Sequence, residues 1–264
     1  MAQLPELTKT WNRRRFTAFS ARCLFSVLLL KTGLNAKAFN ERVEPHMRRW
    51  YAELNEAGQA LKGRDLTPEQ WRQRIEDIHQ QVPLKDLLHF IDFDRVVGDI
   101  RYPQRWGAIR DLDFPQLSGL PRDLPGAKIF AYRKDAATAP HGHNNMVSAH
   151  LILKGQFHVR TFHRVRDEAG YLILSPAIDR IAGPGEVVTM SDEAHNVHWF
   201  LAVSPHAYTL DVPVSDLQPG KPYPTKANRY GMIWVDPTAG KTTEGLVRAK
   251  VIDFQEAERR FARR

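Results

Sequence analysis

Two histidines one residue apart, His141 and His143, are the first residues whose type and spacing could do chemistry. On an extended strand the side chains of residues i and i+2 point to the same face. Both imidazoles can therefore reach one metal ion at about 2.0–2.2 Å. An apolar run follows, then Gly155, then a segment in which Phe157 and Val159 alternate with polar residues. This pattern predicts a β-hairpin whose first strand carries the start of a metal site.

A third ligand would have to come from elsewhere in the chain. The candidate histidines are His150, His158, His163, His195, His198 and His206. His150 is an odd number of residues from His143, so a regular strand would point it to the opposite face. His195 and His198 are three residues apart, so a regular strand cannot aim both at one metal, although a bulge would change this. The spacing alone leaves the third ligand open.

The stretch from Pro140 to Phe162 resembles the first motif of the cupin superfamily, a His-x-His unit followed by a strand and a turn glycine. In most metal cupins a glutamate after the second histidine is a fourth ligand. Counted back from Gly155, that position holds Ser148. The stretch is therefore similar to the three-histidine cupins that oxidise thiols, the cysteamine dioxygenase and plant cysteine oxidase group. Its Gly-x-x-His-Val unit, which begins at Gly155, is also similar to that group.

A second segment carries the same resemblance. The glycine turn Gly183–Glu186 and the strand after it are similar to the second cupin motif. The run from Asn196 to Pro205 resembles the Asn-Ile-His-x-Phe-x-Ala-x-x-Pro segment of the thiol dioxygenases, and Leu210–Val212 resembles their Leu-Asp-Val segment. In that group the histidine of the Asn-x-His unit is the third ligand, which favours His198. The usual cupin spacing from the glycine is nearer to His195, which is the second choice.

The resemblance implies a non-haem Fe(II) dioxygenase that oxidises a thiol to a sulfinate with O2. Its metal ligands would be the three histidines, and Asp211 would orient a substrate amine or a ligand. The alternative for Asp211 is a turn residue at a strand end. Tyr208 and Tyr223 are candidate hydroxyl donors in the cavity, although ordinary packing is the favoured interpretation of each.

Two further questions about function stay open. Imidazole binds iron, zinc, copper and nickel alike, so the bound metal could also be a divalent ion other than iron. A second function class is a cupin that is not an oxygenase and binds a small ligand, with or without metal.

Secondary-structure elements must position these residues. Residues 101–250 contain short strand patterns separated by Gly, Pro and Asp turns. Such a pattern predicts a mainly β fold, and with the resemblance a cupin-type β-barrel, the double-stranded β-helix. Residues 39–100 have helical periodicity and form an N-terminal α-helical extension. Within it, Thr67-Pro68-Glu69-Gln70 is a capping-box start. Residues 251–264 predict a short basic helix. The extension could pack against the barrel or against a second subunit, which leaves a homodimer open.

Residues 1–38 allow two interpretations. An arginine run at Arg13–Arg15, an apolar stretch and Ala36-Lys37-Ala38 have the order of a twin-arginine export signal. The alternative is an amphipathic helix of the folded protein. The uninterrupted apolar run Cys23–Leu30 is far shorter than the ~20 residues of a membrane span. We therefore expect no membrane span and a cytoplasmic protein, with a periplasmic location as the alternative.

Composition narrows the partners. The formal net charge is +8, but lysines and arginines are mixed with acids along the 264 residues, and no nucleic-acid-binding motif accompanies them. We expect a small thiol and O2 as partners and no nucleic acid. With one cysteine, Cys23, these residues contain neither an intramolecular disulfide nor a thiolate metal cluster.

Overall fold

The computed structural model describes residues 43–103, 106–112, 126–228 and 231–262. Residues 1–38, for which an export signal and an amphipathic helix are the two interpretations, lie outside these residues. The chain divides into two compact units, Met1–Pro45 and His46–Arg264. Apart from the first three residues of α1, all features discussed below belong to the second unit. The predicted division into segments 1–38, 39–100, 101–250 and 251–264 stays a prediction.

Helices occupy the N-terminal part of this unit and its C-terminal end. They are α1, described over residues 43–63, α2 (Pro68–Gln80), α3 (Leu84–Phe90), α4 (Phe93–Gly98) and α5 (Phe254–Phe261). The predicted capping box is confirmed: Thr67 Oγ1 accepts from Gln70 N at 3.2 Å and Thr67 N donates to Gln70 Oε1 at 2.9 Å. Among the described helices, none is both long enough and apolar enough to cross a membrane.

Eleven strands are formed by the described residues. They are β1 (Ala108–Asp111), β2 (Lys128–Arg133), β3 (Ala137–His143), β4 (Met146–Lys154), β5 (Phe157–Glu168), β6 (Tyr171–Ala182), β7 (Val187–Met190), β8 (Val197–Ala202), β9 (His206–Ser215), β10 (Met232–Asp236) and β11 (Val247–Val251). They make a five-stranded sheet in the order β1-β2-β9-β4-β7 and a closed barrel in the order β10-β11-β6-β5-β8-β3.

The eight strands from β2 to β9 pair in a nested order. Strand β2 pairs with β9, β3 with β8, β4 with β7 and β5 with β6, all antiparallel. Cross-links β4·β9 and β5·β8 join these pairs into the two sheets. Eight strands wound in this way form the jelly roll, or double-stranded β-helix, that cupins use. The predicted mainly β, cupin-type fold with preceding helices is therefore confirmed.

The hairpin predicted over residues 140–162 is wrong. Strand β4 pairs with β7 and β9, whereas β3 before it and β5 after Gly155 pair with barrel strands, so consecutive strands lie in different sheets. The chain turns between sheets at Asn145 (φ 60°) and at Gly155 (φ 75°). A Cβ at Gly155 would overlap the carbonyl oxygen of His206, so glycine is needed for space as well as for conformation. Alternation identified the strands, but it carries no information on which strands pair.

The main core lies between the two sheets. The five-stranded sheet and the barrel both contribute buried side chains to it: Tyr132, Ile152, Val188, Met190 and Ala207 from the first, and Phe157, Val159, Ala182, Phe200 and Ala202 from the second. Each large apolar side chain buried here stabilises the fold by about 1.5–3 kcal/mol. This core holds β4, β8 and β9 in fixed relation, and a second cluster packs Ala137 and Ala139 of β3 against Trp199 of β8. These four strands carry the site.

Candidate metal centre

Three histidines meet inside the jelly roll. His141 and His143 come from the end of β3 and His198 from the start of β8, and their ligating nitrogens all lie within 4.8 Å of one another. The ring centroids are 4.2 Å apart for His141 and His198, 4.8 Å for the two β3 histidines, and 5.3 Å for His143 and His198. All three are buried. We call them the three-histidine group.

A β-bulge aims His141 into this group. The pairs Thr138↔Phe200 and His141↔His198 span three steps on β3 and two on β8, so β3 carries one extra residue. Residues three apart on a regular strand face opposite ways, yet Thr138 bonds the interior hydroxyl of Tyr132 and His141 contacts the His198 ring. Bulges commonly re-aim a side chain beside a functional site.

Backbone carbonyls fix the ring orientation of each histidine. Nδ1 donates to Ala139 O in His141 (2.9 Å), to Gly231 O in His143 (3.0 Å) and to Asn196 O in His198 (3.1 Å). A carbonyl oxygen only accepts, so each Nδ1 carries the ring proton and each Nε2 keeps its lone pair. Metal-binding histidines in proteins are held in this way.

The electrostatics of the group favour neutral rings. Burial lowers the pKa of His143 to about 4. Burial also lowers the pKa of His141 and His198 well below the ordinary value, and neighbouring histidines of the group lower it further. All three are therefore neutral at pH 7, the form that coordinates metal. Three buried Nε2 lone pairs form a donor set that suits a metal ion.

A polar wall faces the three-histidine group from the other sheet. It consists of Ser148 and His150 on β4 and Thr209 and Asp211 on β9, all buried. Ser148 Oγ donates to Asp211 Oδ1, and His150 Nε2 lies 3.5 Å from the same oxygen. His150 Nδ1 lies 3.2 Å from Thr209 Oγ1. These polar side chains are exceptions in an apolar interior, and a cluster of buried polar groups is informative about a site.

The side chain of His150 lies on the face opposite to the one that strand parity predicts. Its ring lies 6.1 Å from the ring of His198, on the inside of the jelly roll. Parity holds only along one strand, and the chain turns into the facing sheet at Asn144 and Asn145 before reaching His150. Two consecutive asparagines are a turn signal that the sequence does offer.

Asp211 and Tyr208 have different positions although both lie on β9. The register of β9 against β2 is regular from His206 to Asp211, so residues three apart face opposite sides. Asp211 belongs to the polar wall. Tyr208 points away: its hydroxyl bonds that of Tyr102 at 2.8 Å and its ring packs edge-on against Phe93. The structure therefore places the Tyr208 hydroxyl in packing outside the site and not in the cavity, and the hydroxyl of Tyr223 is bound to Asp192.

His195 lies outside the three-histidine group. It precedes β8 with a positive φ of 55°, where strand alternation does not govern the side chain. Its Nδ1 lies 2.7 Å from Thr161 Oγ1 and its ring packs against His163 at 4.8 Å. Burial, and then the charge of Arg72, lower the pKa of His195 to about 4. Of the two histidines considered for the third position, the structure brings His198 to the β3 pair.

Comparison with known proteins adds similarity of fold alone. No family model matches the sequence, and no curated protein matches it significantly. Solved structures that are similar include procruciferin, an 11S globulin from Brassica napus, at 17% identity and a TM-score of 0.32 over 44% of this chain and 27% of that one. Recombinant oxalate oxidase in complex with glycolate matches at 17% identity and a TM-score of 0.32 over 45% of this chain and 55% of that one.

KdgF from Halomonas sp. matches at 15% identity and a TM-score of 0.32 over 44% of this chain and 86% of that one. This chain spans between 27% and 55% of the length of the first structures that it matches. At such low similarity we draw no functional argument from these proteins. The fold rests on the nested strand pairing, and the site rests on its own geometry.

Proposed function

We propose that this protein is a non-haem Fe(II) dioxygenase that oxidises a thiol to a sulfinate with O2. The observation that carries the proposal is the three-histidine group, which is made of neutral imidazoles alone. The choice of iron and of thiol chemistry comes from the sequence resemblance of the segments around His141 and His198. The reaction adds both atoms of O2 to the sulfur of RSH and yields RSO2H. Fe(II) held by the group would supply Lewis acidity and the redox chemistry that O2 requires.

The residues around the site have roles in this proposal. The three imidazoles carry no charge, so a bound cation keeps its full charge and attracts an anionic thiolate. All three come from the barrel, and the polar wall faces them from the other sheet. There Asp211, with Ser148 donating to it and His150 beside it, would hold the polar part of the substrate. Positioning of this kind supplies a large share of enzymatic rate.

The same donor set is also compatible with a second candidate function. Imidazole ligands do not select iron over zinc, nickel or copper. The polar wall could equally hold a small ligand without oxygen chemistry. The alternative is therefore a cupin that binds a small ligand, with or without a metal, and is not an oxygenase.

Metal content is the first test. The protein is purified without oxygen or added metal and its metal content per chain is measured by mass spectrometry, followed by O2 uptake with small thiols and with peptides that end in cysteine. We expect near-stoichiometric iron and thiol-dependent O2 uptake in the wild type. His143→Ala should lose both, whereas His206→Ala, which changes an exposed histidine of β9, should lose neither. Iron without O2 uptake for any thiol, or zinc in its place, would favour the second candidate function.

The cellular location is a separate proposal. We place the protein in the cytoplasm, with export through a twin-arginine signal as the alternative. N-terminal sequencing of the protein from its native host decides between them. A start at Phe39 would establish export, and an intact Met1 or Ala2 would exclude processing.

A further inference from the structure

Asn196 contacts two members of the three-histidine group at once. Its backbone carbonyl accepts from His198 Nδ1 at 3.1 Å, and its side-chain Nδ2 donates to the carbonyl oxygen of His143 at 2.9 Å. The same Nδ2 donates to Ser191 O at 3.0 Å. Asn196 is 1% exposed, so these contacts are not shared with bulk water.

The position of Asn196 explains why a side chain makes the bond to His143. The pair His141↔His198 sets the register of β3 against β8, and continuing it by two residues places Asn196 opposite His143. Strand β8 begins only at Val197. The side-chain amide of Asn196 therefore takes the place of a ladder hydrogen bond at the point where β3 delivers its second histidine.

The orientation of this amide is fixed by its surroundings. Nδ2 has two carbonyl acceptors, whereas Oδ1 has no hydrogen-bond partner among the described residues. The flipped amide would place Oδ1 against two carbonyl oxygens, which repel it. The donor therefore faces His143 O and Ser191 O.

Gly142, between the two β3 histidines, is part of the same arrangement. A Cβ at Gly142 would overlap Asn196 Oδ1 and lie 3.2 Å from Val197 Cγ2. Gly142 has no positive φ, so glycine is required here for space and not for backbone conformation. The small residue of His-Gly-His makes room for the amide of Asn-Val-His.

We infer that Asn196 is a positioning residue that sets the separation of His143 and His198, and that Gly142 is the small residue this role requires. This inference rests on the metal centre of the proposed function. It assigns the Asn196 side chain to metal affinity, since Asn196 bonds the backbone of His143 through its side-chain amide and the ring of His198 through its backbone carbonyl.

The test uses the full chain, with Co(II) as the probe, titrated under visible absorption. Asn196→Asp keeps the shape and the backbone carbonyl but replaces the donor with an oxygen. The partner of the His198 ring is kept, so we expect the Co(II) dissociation constant to rise less than the about 10–100-fold that loss of a ligand's outer-shell partner costs, but at least about threefold, and the Co(II) bands to shift. The matched control is Asn55→Asp, another buried amide, on α1 and outside the group. It should leave both readouts as in the wild type.

A double-mutant cycle tests the link to Gly142. Gly142→Ala alone should weaken Co(II) binding, and its effect should be much smaller in an Asn196→Ala background, where no amide is left to displace. Additive effects would overturn the link to Gly142. Wild-type affinity and bands in Asn196→Asp, or equal losses in Asn55→Asp, would overturn the inference while the metal centre stands. A wild-type protein that binds no Co(II) would overturn the metal centre itself, and the inference with it.

Discussion

His79 gives the protein a loss of stability at acid pH that can be calculated from its surroundings. This residue of α2 is 5% exposed and accepts a hydrogen bond at Nδ1 from Trp50 Nε1 at 3.4 Å. Among the described residues its Nε2 has no partner. Burial lowers the pKa of His79 from 6.5 to about 4. The ring is neutral in the folded protein at pH values where the unfolded chain already binds a proton.

The sign and size of the effect follow from linkage. The pKa of His79 is lower in the folded protein than in the unfolded chain. Its contribution to the free energy of unfolding is therefore fully present above about pH 6.5, falls as the pH decreases and levels off below about pH 4. The loss is about 1.4 kcal/mol near pH 5.5 and about 2.5 kcal/mol near pH 4.5, with a limit of about 3.4 kcal/mol.

The assay compares urea unfolding of metal-free wild type and His79→Asn between about pH 7 and pH 4.5. Asparagine can place Oδ1 near the position of Nδ1, so it keeps an acceptor for Trp50 and removes the titrating ring. We expect the variant to be the less stable protein at neutral pH and to gain about 2 kcal/mol on the wild type by pH 4.5. The acid sensitivity of the other buried histidines is common to both proteins and cancels. A stability difference that is the same at every pH would refute the reasoning.

Three further changes have defined outcomes. Asp211→Asn should keep its iron and lower thiol-dependent O2 uptake at least about tenfold, since the polar wall loses its carboxylate; unchanged uptake would remove Asp211 from the reaction. Arg164→Met breaks the partly buried ion pair with Asp167 (2.6 Å) and the bond to Asn144 Oδ1 (2.6 Å), and should cost about 2 kcal/mol in urea unfolding; making Asp167 apolar as well should not recover this cost, since Thr225 N then loses its acceptor. Gly155→Ala, at φ 75° beside His206 O, should lower the melting temperature more than Gly170→Ala, at φ 74° in open space; equal losses would mean that backbone conformation alone accounts for the cost.

The sequence was sufficient for features that depend on neighbours along the chain. The two-residue spacing of His141 and His143 implied a shared face, and the capping box at Thr67 marked the start of α2. The resemblance of the Asn-Val-His segment pointed to His198 over His195. In each case a few adjacent residues carry the information.

Features that depend on strand pairing could not be obtained in this way. The bulge after Thr138 exists because β3 and β8 differ by one residue between two pairs, which neither strand shows alone. His150 faces the group because β4 lies in the opposite sheet. Tyr208 was misplaced for a related reason: its face depends on which side of β9 is covered by the barrel. Hydrophobic period and strand propensity describe one strand at a time, whereas each of these contacts joins residues from two or three strands.

The three-histidine group and the polar wall lie on different sheets. Every histidine of the three-histidine group lies on barrel strands, and every residue of the polar wall lies on the five-stranded sheet. Changes at Ser148, His150, Thr209 or Asp211 therefore replace none of the three ligands and none of the carbonyls that hold them. Within the proposed function, the set of accepted substrates can diverge by mutation while the metal centre is inherited unchanged. A library that randomises the wall alone would sample new specificities on a constant metal centre.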